Sequence, residues 1–332
     1  MRRRDWLGGC VAGTALAAVS ACSRRKASSL EKIRVAAPRR LTASSLYLAD
    51  ELGFLREAGF DPEIGRVGNS LNSMALLAGG KMDVLFGPAS TAFLNAVLKG
   101  LPLRIVAGRE VASPTCGYVG AIYGMRRTFP RGLADLAQLR GKRVATGPAV
   151  GLAQFALDAH LARAGLSTQD VTMVSLDFSQ SVAALLGGGV DAVVGADDFD
   201  RDLTSLASSI VHTVGLAQLY PNFQYAYIIF GQTLLAADPE RGARFLSAYL
   251  RGAREFARGR TPRFMEEFAR ANRLDLTQAR TVCRNSFAPD GAIDLNSLRL
   301  FADWAARRKH IPRRVEVSEL VDDRFLRRAH AS

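Results

Sequence analysis

Two adjacent arginines and two adjacent serines form the strongest candidate for a binding site in this sequence. Arg39 and Arg40 follow a short apolar run at residues 33–37, and Ser44 and Ser45 open the helical pattern just beyond them. A guanidinium binds a carboxylate, sulfonate or phosphonate through two parallel hydrogen bonds, and a helix N-terminus offers unpaired N–H groups. These residues predict a site for a small anionic group. The alternative is that either arginine faces solvent, because arginine is abundant in this chain.

Sequence patterns that carry catalysis are missing. The chain contains neither a glycine-rich phosphate loop nor a G-x-S-x-G nucleophile elbow. Its histidines are scattered, without a second ligand at metal-binding spacing. They are His160, His212, His310 and His330. The sequence therefore predicts a protein that is not an enzyme and that holds no metal and no cofactor.

The candidate residues must be positioned by a fold, and an internal repeat indicates which one. Residues 75–87 read ALLAGGKMDVLFG, and residues 184–195 read ALLGGGVDAVVG. In each copy an apolar helix meets glycines that can end it in a left-handed conformation. An Asp then precedes an apolar run that is typical of a strand buried in a parallel sheet.

The repeat extends upstream of these segments. Residues 33–37 and 142–146 both read as short strands, and Ser70 and Ser179 stand at matching places where a helix would begin. Residues 33–87 and 142–195 are therefore both predicted to be strand–helix–strand–helix–strand units. Two such units form two α/β lobes with a crevice between them, where ligands usually bind.

The N-terminus reads as an export signal. Arginines at positions 2–4 precede an uncharged stretch at residues 6–22 that is too short to span a bilayer. The segment Val19-Ser20-Ala21-Cys22 is similar to the cleavage box of bacterial lipoproteins, which implies that residues 1–21 are removed and Cys22 is lipidated. Residues 22–30 would then be a tether. An ordinary signal with an incidental Cys is the alternative, and the Sec and twin-arginine routes both remain open.

The net charge and the cysteine content exclude few classes of protein. The formal net charge is +13, which would suit nucleic acid, but export and the absence of a basic stripe interleaved with aromatics argue against that partner. The arginines of residues 241–258 fit the solvated face of a helix. Cys116 and Cys283 are predicted to be free thiols, because a bond between the lobes would hamper hinge motion.

Several further segments carry a resemblance to a known family. Residues 46–61 read LYLADELGFLREAGFD, residues 78–83 read AGGKMD, residues 135–144 read DLAQLRGKRV, and residues 189–192 read GVDA. The tail adds Asp303-Trp304 and the tripeptide at residues 320–322. Together these segments resemble the substrate-binding proteins of ABC importers for nitrate, sulfonates, taurine and thiamine precursors.

The resemblance implies a periplasmic-binding-protein type II fold, an α/β fold with two lobes. Each lobe would be a mostly parallel sheet flanked by helices, and two hinge crossings would join the lobes. Lobe I would comprise residues 31–112 and 225–332, and lobe II residues 113–224. The chain would cross near residues 111–113 and return near residues 225–227. Phe301 and Trp304 would lie in the core.

By position in this fold, the ligand would be contacted by residues at the crevice ends of the strands. They are Arg39, Arg40, Thr42, Ser44, Asn69, Ser70, Gly87, Pro88, Ser90, Thr146, Gly147, Val150, Asp177, Phe178, Asp197 and Tyr225. The carboxylates of Asp177 and Asp197 would repel a bare anion, so a zwitterion or a neutral heterocycle also fits.

The function that follows from the resemblance is capture of a small molecule. A monomeric, lipid-anchored receptor outside the cytoplasm would deliver an anionic or zwitterionic ligand to an ABC permease in the membrane. One alternative is a lipoprotein that senses the ligand and signals to a membrane partner. Another is an enzyme like the pyridoxal-phosphate-dependent pyrimidine synthases of the same superfamily. That branch is cytoplasmic and carries a cysteine cluster, whereas this chain has an export signal and no cluster.

Overall fold

A computed structural model describes residues 30–39, 41–65, 70–113, 119–147, 150–195, 208–271 and 287–331. In these ranges ten strands form two five-stranded sheets. The first sheet has the order β2-β1-β3-β10-β4. Its strands are β1 (Glu31–Ala36), β2 (Phe60–Gly65), β3 (Val84–Pro88), β4 (Arg104–Val111) and β10 (Gln224–Phe230). Only β10 runs antiparallel to the strands beside it.

The second sheet has the order β7-β6-β8-β5-β9. Its strands are β5 (Ile122–Met125), β6 (Arg143–Thr146), β7 (Thr172–Ser175), β8 (Ala192–Val194) and β9 (Ile210–His212). The fourth strand in the order, β5, is again the antiparallel one. The two sheets therefore repeat one arrangement, and we call each sheet with its helices a lobe.

Helices flank both sheets. Those of the repeated units are α1 (Ser44–Glu51), α2 (Phe54–Glu57) and α3 (Ser70–Ala78) in the first lobe, and α5 (Leu152–Arg163) and α6 (Phe178–Gly187) in the second. The others are α4 (Thr91–Leu98), α7 (Leu216–Leu219), α8 (Gln232–Leu235), α9 (Pro239–Ala257), α10 (Arg263–Ala271), α11 (Leu295–Arg307), α12 (Val317–Leu320) and α13 (Arg324–Ala331). No helix of the described residues is long and apolar enough to cross a membrane.

The predicted repeat is confirmed, and an ion pair marks it in both copies. In the first lobe, Arg34 donates to Asp83 from its backbone N–H (2.8 Å), Nε (3.0 Å) and Nη2 (3.0 Å). In the second, Arg143 makes the same three bonds to Asp191, at 2.8, 3.2 and 3.2 Å. Each arginine belongs to the first strand of its unit: Arg34 lies inside β1, and Arg143 begins β6. Each aspartate immediately precedes the third strand of its unit. The pair therefore holds these neighbouring strands in register.

The C-terminal helices complete the core of the first lobe. Helix α9 packs on α1 and α13, and the rings of Phe245 and Tyr249 are buried against the sheet. Helix α11 packs on β10 and α4. The prediction that Phe301 and Trp304 lie in the core is confirmed, since both are buried.

Gly108 lies where a chain segment crosses close to β4. A Cβ at this position would overlap the backbone oxygen of Ala292 and the side-chain amide of Gln224. That amide donates to Ala292 O (2.9 Å) and accepts from the N–H of Asp294 (2.8 Å). A backbone atom that is held by hydrogen bonds cannot move aside cheaply.

We therefore expect Gly108→Ala to lower the free energy of unfolding by about 1–3 kcal/mol, the range for overpacking, in urea denaturation. Gly187→Ala is the matched control. No atom lies within 4 Å of a Cβ there, so the change should stay within about 0.5 kcal/mol. Equal effects of the two substitutions would contradict the steric explanation.

Candidate functional site

The crevice ends of the two sheets meet through the loops that follow β3 and β6. The backbone N–H and the Oγ1 of Thr91 both donate to Val150 O, at 3.2 and 2.8 Å. Ser90 and Gly151 form an isolated antiparallel bridge beside them. The structure thus brings together the predicted residues Ser90 and Val150 from opposite lobes. Thr91 was missed, because nothing in its local sequence separates it from an ordinary first residue of a helix.

Around the end of β3, the predicted residues lie on one edge of the first sheet. The register pairs Pro88 with Ala226 and Gly87 with Tyr227, and Tyr225 O accepts from the N–H of Ala89 (3.3 Å). Ser90 is buried and caps α4, since its Oγ accepts from Phe93 N–H (3.2 Å). Pro88 is exposed, whereas Tyr225 is buried.

The loop after β1 is covered by helix α10. Arg39, although exposed, forms an ion pair with Glu267 (3.2 Å), and its guanidinium carbon lies 5.5 Å from the ring centroid of Phe264. Ser44 is fully buried and its Oγ donates to Met265 Sδ (3.0 Å). An anion bound by Arg39 would therefore compete with Glu267 for the guanidinium.

The sequence predicted that serines open helices α1 and α3, and the structure differs from this prediction in detail. Thr42 is half-buried within a short 3-10 turn, Leu41–Ala43, that precedes α1. The N-cap of α1 is Ala43, which makes no side-chain cap, so Ser44 and Ser45 lie inside the first turn. Ser70 is the first residue of α3.

The second lobe contributes the end of β6 and the start of α6. Thr146 is buried at the end of its strand, and a Cβ on Gly147 would meet no atom within 4 Å. Asp177 caps α6: its Oδ1 accepts from Gln180 N–H (2.8 Å), and Gln180 Oε1 accepts from Asp177 N–H (3.1 Å). The expectation that Ser179 opens this helix is wrong, because the Asp–Gln capping box two residues earlier supplies the cap. Phe178 is the first residue of the helix.

Four predicted positions lie outside the described residues: Arg40, Asn69, Asp197 and the lipidation site Cys22. The same holds for Cys116 and Cys283. Among the residues that the structure describes, no group of three or more His, Cys, Asp and Glu side chains could hold a metal ion.

A buried ion pair at the end of β4 was not predicted from the sequence. Arg109 Nη2 donates to both carboxylate oxygens of Glu110, at 2.9 and 2.7 Å, and both residues are buried. Burial opposes the charged form of Arg109, but the carboxylate of Glu110 more than offsets this and raises the pKa of the guanidinium. The sequence signal that could have indicated this ion pair is a charged dipeptide inside an apolar strand pattern.

A second contact between the lobes joins α5 to α11. Asp158 accepts hydrogen bonds from Trp304 Nε1 (2.6 Å) and from Arg308 Nε (2.6 Å) and Nη2 (2.7 Å). Phe155, one turn earlier on α5, contacts Phe301 and Trp304 edge-on, at 5.9 and 5.6 Å between ring centroids. The hydrogen bonds to Asp158, which are surrounded by an aromatic cluster, therefore join the two lobes.

Comparison with known proteins shows the family and the fold. The family described as NMT1/THI5 like matches residues 42–258. The chain belongs to this family. A putative thiamine biosynthesis protein of Haemophilus influenzae is 29% identical over 153 residues, which are 46% of this chain and 45% of the relative. The chain thus spans less than half the length of the curated relative that it matches.

Solved structures show the same fold. The alkanesulfonate-binding protein SsuA from Xanthomonas axonopodis, bound to MOPS, has a TM-score of 0.68 at 20% identity, over 88% of this chain and 98% of that chain. The periplasmic nitrate-binding protein NrtA from Synechocystis has a TM-score of 0.68 at 13% identity, over 91% of this chain and 89% of that chain. The predicted two-lobed α/β fold of the periplasmic binding proteins is confirmed.

Proposed function

We propose that this NMT1/THI5-like protein is an extracytoplasmic solute-binding lipoprotein. In this proposal it captures a small anionic or zwitterionic organic molecule between its lobes and delivers it to an ABC importer. Lobe I comprises residues 31–112 and 225–332, lobe II comprises residues 113–224, and the protein acts as a monomer without a cofactor.

The observation that carries the proposal is the meeting of the two crevice edges. Thr91 of the first lobe and Val150 of the second are hydrogen-bonded across the gap, and the neighbouring polar residues Ser90 and Thr146 are buried. Ligands of open α/β sheets bind outside the carboxyl ends of the strands. Two such edges facing each other can enclose a small molecule, and hinge closure can retain it.

The relatives support the same class of function. SsuA is named as an alkanesulfonate-binding protein and NrtA as a nitrate-binding protein, and both share the fold of this chain. The described crevice residues include helix caps and backbone groups that suit a polar ligand, and they include no cluster of catalytic groups. Binding is therefore a better match to this site than a reaction.

A thermal-shift screen tests the binding function. Nitrate, sulfonates, aromatic acids, pyrimidines and amino acids would be added to the purified protein, and the melting temperature recorded. A compound at a hundred times its dissociation constant should add about 2.7 kcal/mol of stability. If no compound of any class stabilises the protein at millimolar concentration, the proposal of a solute-binding protein fails.

Membrane fractionation tests the lipoprotein. We expect Cys22→Ala to release the protein from membranes or to block its maturation, because acylation of this thiol supplies the anchor. Cys10→Ala is the matched control, because Cys10 lies within the predicted signal segment, and it should leave the protein in the membrane fraction. A mature native protein that is soluble and unmodified at residue 22 would contradict the anchoring.

A further inference from the structure

The guanidinium of Arg109 is buried with part of its hydrogen-bonding capacity unused. Arg109 is 2% exposed, and its Nη2 donates to both carboxylate oxygens of Glu110. Within the described part of the chain, Nε and Nη1 have no hydrogen-bond partner. These two nitrogens carry three N–H bonds. Buried donors without acceptors are rare in proteins and call for an explanation.

The backbone is shaped to place Arg109 and Glu110 side by side. Consecutive residues of a regular strand point to opposite faces, so they cannot form an ion pair. Here Ala226 pairs with Glu110 and Tyr227 with Gly108, which leaves Arg109 as an extra, bulged residue. A second register shift skips Tyr225 on the facing strand. Bulges re-aim side chains and are common next to functional sites.

The pair lies at the crevice end of the first sheet. Glu110 is paired with Ala226, which is paired in turn with Pro88 on β3. The guanidinium carbon of Arg109 lies 4.9 Å from the ring centroid of Phe86, two residues before Pro88. The Phe86 ring lies 5.3 Å from that of Tyr249. The guanidinium therefore packs beside the last residues of β3, the strand that ends at Pro88 on the crevice edge.

We propose that Arg109 donates hydrogen bonds to the solute through Nε and Nη1, and that Glu110 restricts this site to solutes of zero net charge. This inference rests on the proposed function and changes its ligand class, because neutral molecules replace anions beside the zwitterions. The acceptor on the solute is an oxygen or a ring nitrogen, of the kind that amides, neutral heterocycles and zwitterions carry.

The restriction follows from charge. Glu110 already neutralises Arg109, with both carboxylate oxygens within 2.9 Å of Nη2. A bare anion at the remaining donors would place a second negative charge beside the buried carboxylate of Glu110, and like charges brought together in a buried site are strongly unfavourable. A neutral acceptor satisfies the donors without adding charge. A zwitterion does so as well, because it brings its own cation.

The test uses matched pairs of solutes and one conservative variant. The pairs are nicotinate with nicotinamide, benzoate with benzamide, and ethanesulfonate with taurine, each titrated into the purified protein by calorimetry and thermal shift. The variant Arg109→Lys keeps a cation beside Glu110 but removes the Nε and Nη1 donors. Arg143→Lys is the control, because Arg143 also pairs with a carboxylate but begins β6, at the end of the strand away from the crevice.

We expect the uncharged member of at least one pair to bind more tightly than its anion. Arg109→Lys should weaken that binding at least tenfold, which is about 1.4 kcal/mol, and Arg143→Lys should not. Tighter binding of the anions overturns the inference and leaves a solute-binding function standing. An unchanged affinity in Arg109→Lys also overturns it. If none of the six compounds binds to the wild type, the inference fails, and the broad thermal-shift screen decides separately on the proposed function.

Should Arg109→Lys unfold, the double variant Arg109→Met/Glu110→Met replaces the pair by apolar side chains of similar length. Such exchanges of buried ion pairs are often neutral or stabilising. Loss of binding in this folded double variant would support the inference, and retained binding would overturn it.

Discussion

Asp158→Ala should lower the free energy of unfolding by about 1–3 kcal/mol, the cost of leaving a buried donor without its acceptor. The Asp158 side chain is 8% exposed and accepts three hydrogen bonds, one from Trp304 and two from Arg308. Without it, Trp304 Nε1 is buried with no acceptor, whereas Arg308, 42% exposed, can return to water. Urea denaturation at neutral pH would measure the loss.

Two variants separate the causes of this loss. Asp158→Asn keeps an oxygen for Trp304 Nε1 and removes only the charge, so its cost should be smaller. Asp303→Ala is the control on the same helix, where Arg314 Nε contacts Asp303 at 2.9 Å near the surface. An exposed pair of this kind contributes less than about 1 kcal/mol. If Asp158→Ala costs no more than Asp303→Ala, the contact between the lobes carries no stability.

The parts of the fold that repeat could be predicted from the sequence. The glycines and aspartates of residues 75–87 and 184–195 placed a helix end and a buried strand in each copy, and Gly80 and Gly188 do adopt left-handed conformations. The strand orders β2-β1-β3 and β7-β6-β8 then follow, because short crossovers in a parallel sheet allow few arrangements. Local sequence signals were sufficient to predict these elements, since the interactions that form each unit lie within one repeat.

The contacts between distant segments could not be predicted. Asp158 reads as an ordinary helix residue, and its partner Trp304 lies 146 positions away. The bulge at Arg109 depends on pairing with β10, more than a hundred residues later. Arg39 was expected to face a ligand, but the ion pair with Glu267 depends on how α10 packs. Such contacts depend on tertiary packing, and the sequence pattern around a single residue does not indicate how distant segments pack.

His160 should make the protein sensitive to mild acid. It is fully buried on α5, and its Nε2 lies 3.0 Å from Gly120 O. The carbonyl can only accept, so Nε2 carries the proton of the neutral ring. In the described ranges Nδ1 has no partner, and protonation there would bury a charged N–H without an acceptor. Burial is the main reason that the pKa of His160 falls to about 4, and the charge of Arg163 lowers it further.

The sign of the effect follows from proton uptake. In the unfolded chain this imidazole has a pKa of about 6.5, so it gains a proton between pH 6.5 and 4 while the folded protein excludes it. The unfolded state is stabilised in that window, and the stability present above pH 6.5 is lost as the pH falls. A difference of about 2.5 pKa units corresponds to about 3 kcal/mol. Above pH 6.5 the residue should contribute no pH dependence.

Comparison of the wild type with His160→Gln isolates this contribution from that of the other acids and bases. Glutamine keeps a side-chain donor for Gly120 O and cannot gain a proton. The two proteins would be unfolded in urea at pH 7.5 and at pH 4.5, and the difference between their stabilities compared. We expect this difference to shift by about 2–3 kcal/mol in favour of the variant at the lower pH. A shift of zero would mean that the buried imidazole accepts its proton without penalty, which would require an acceptor to reach Nδ1.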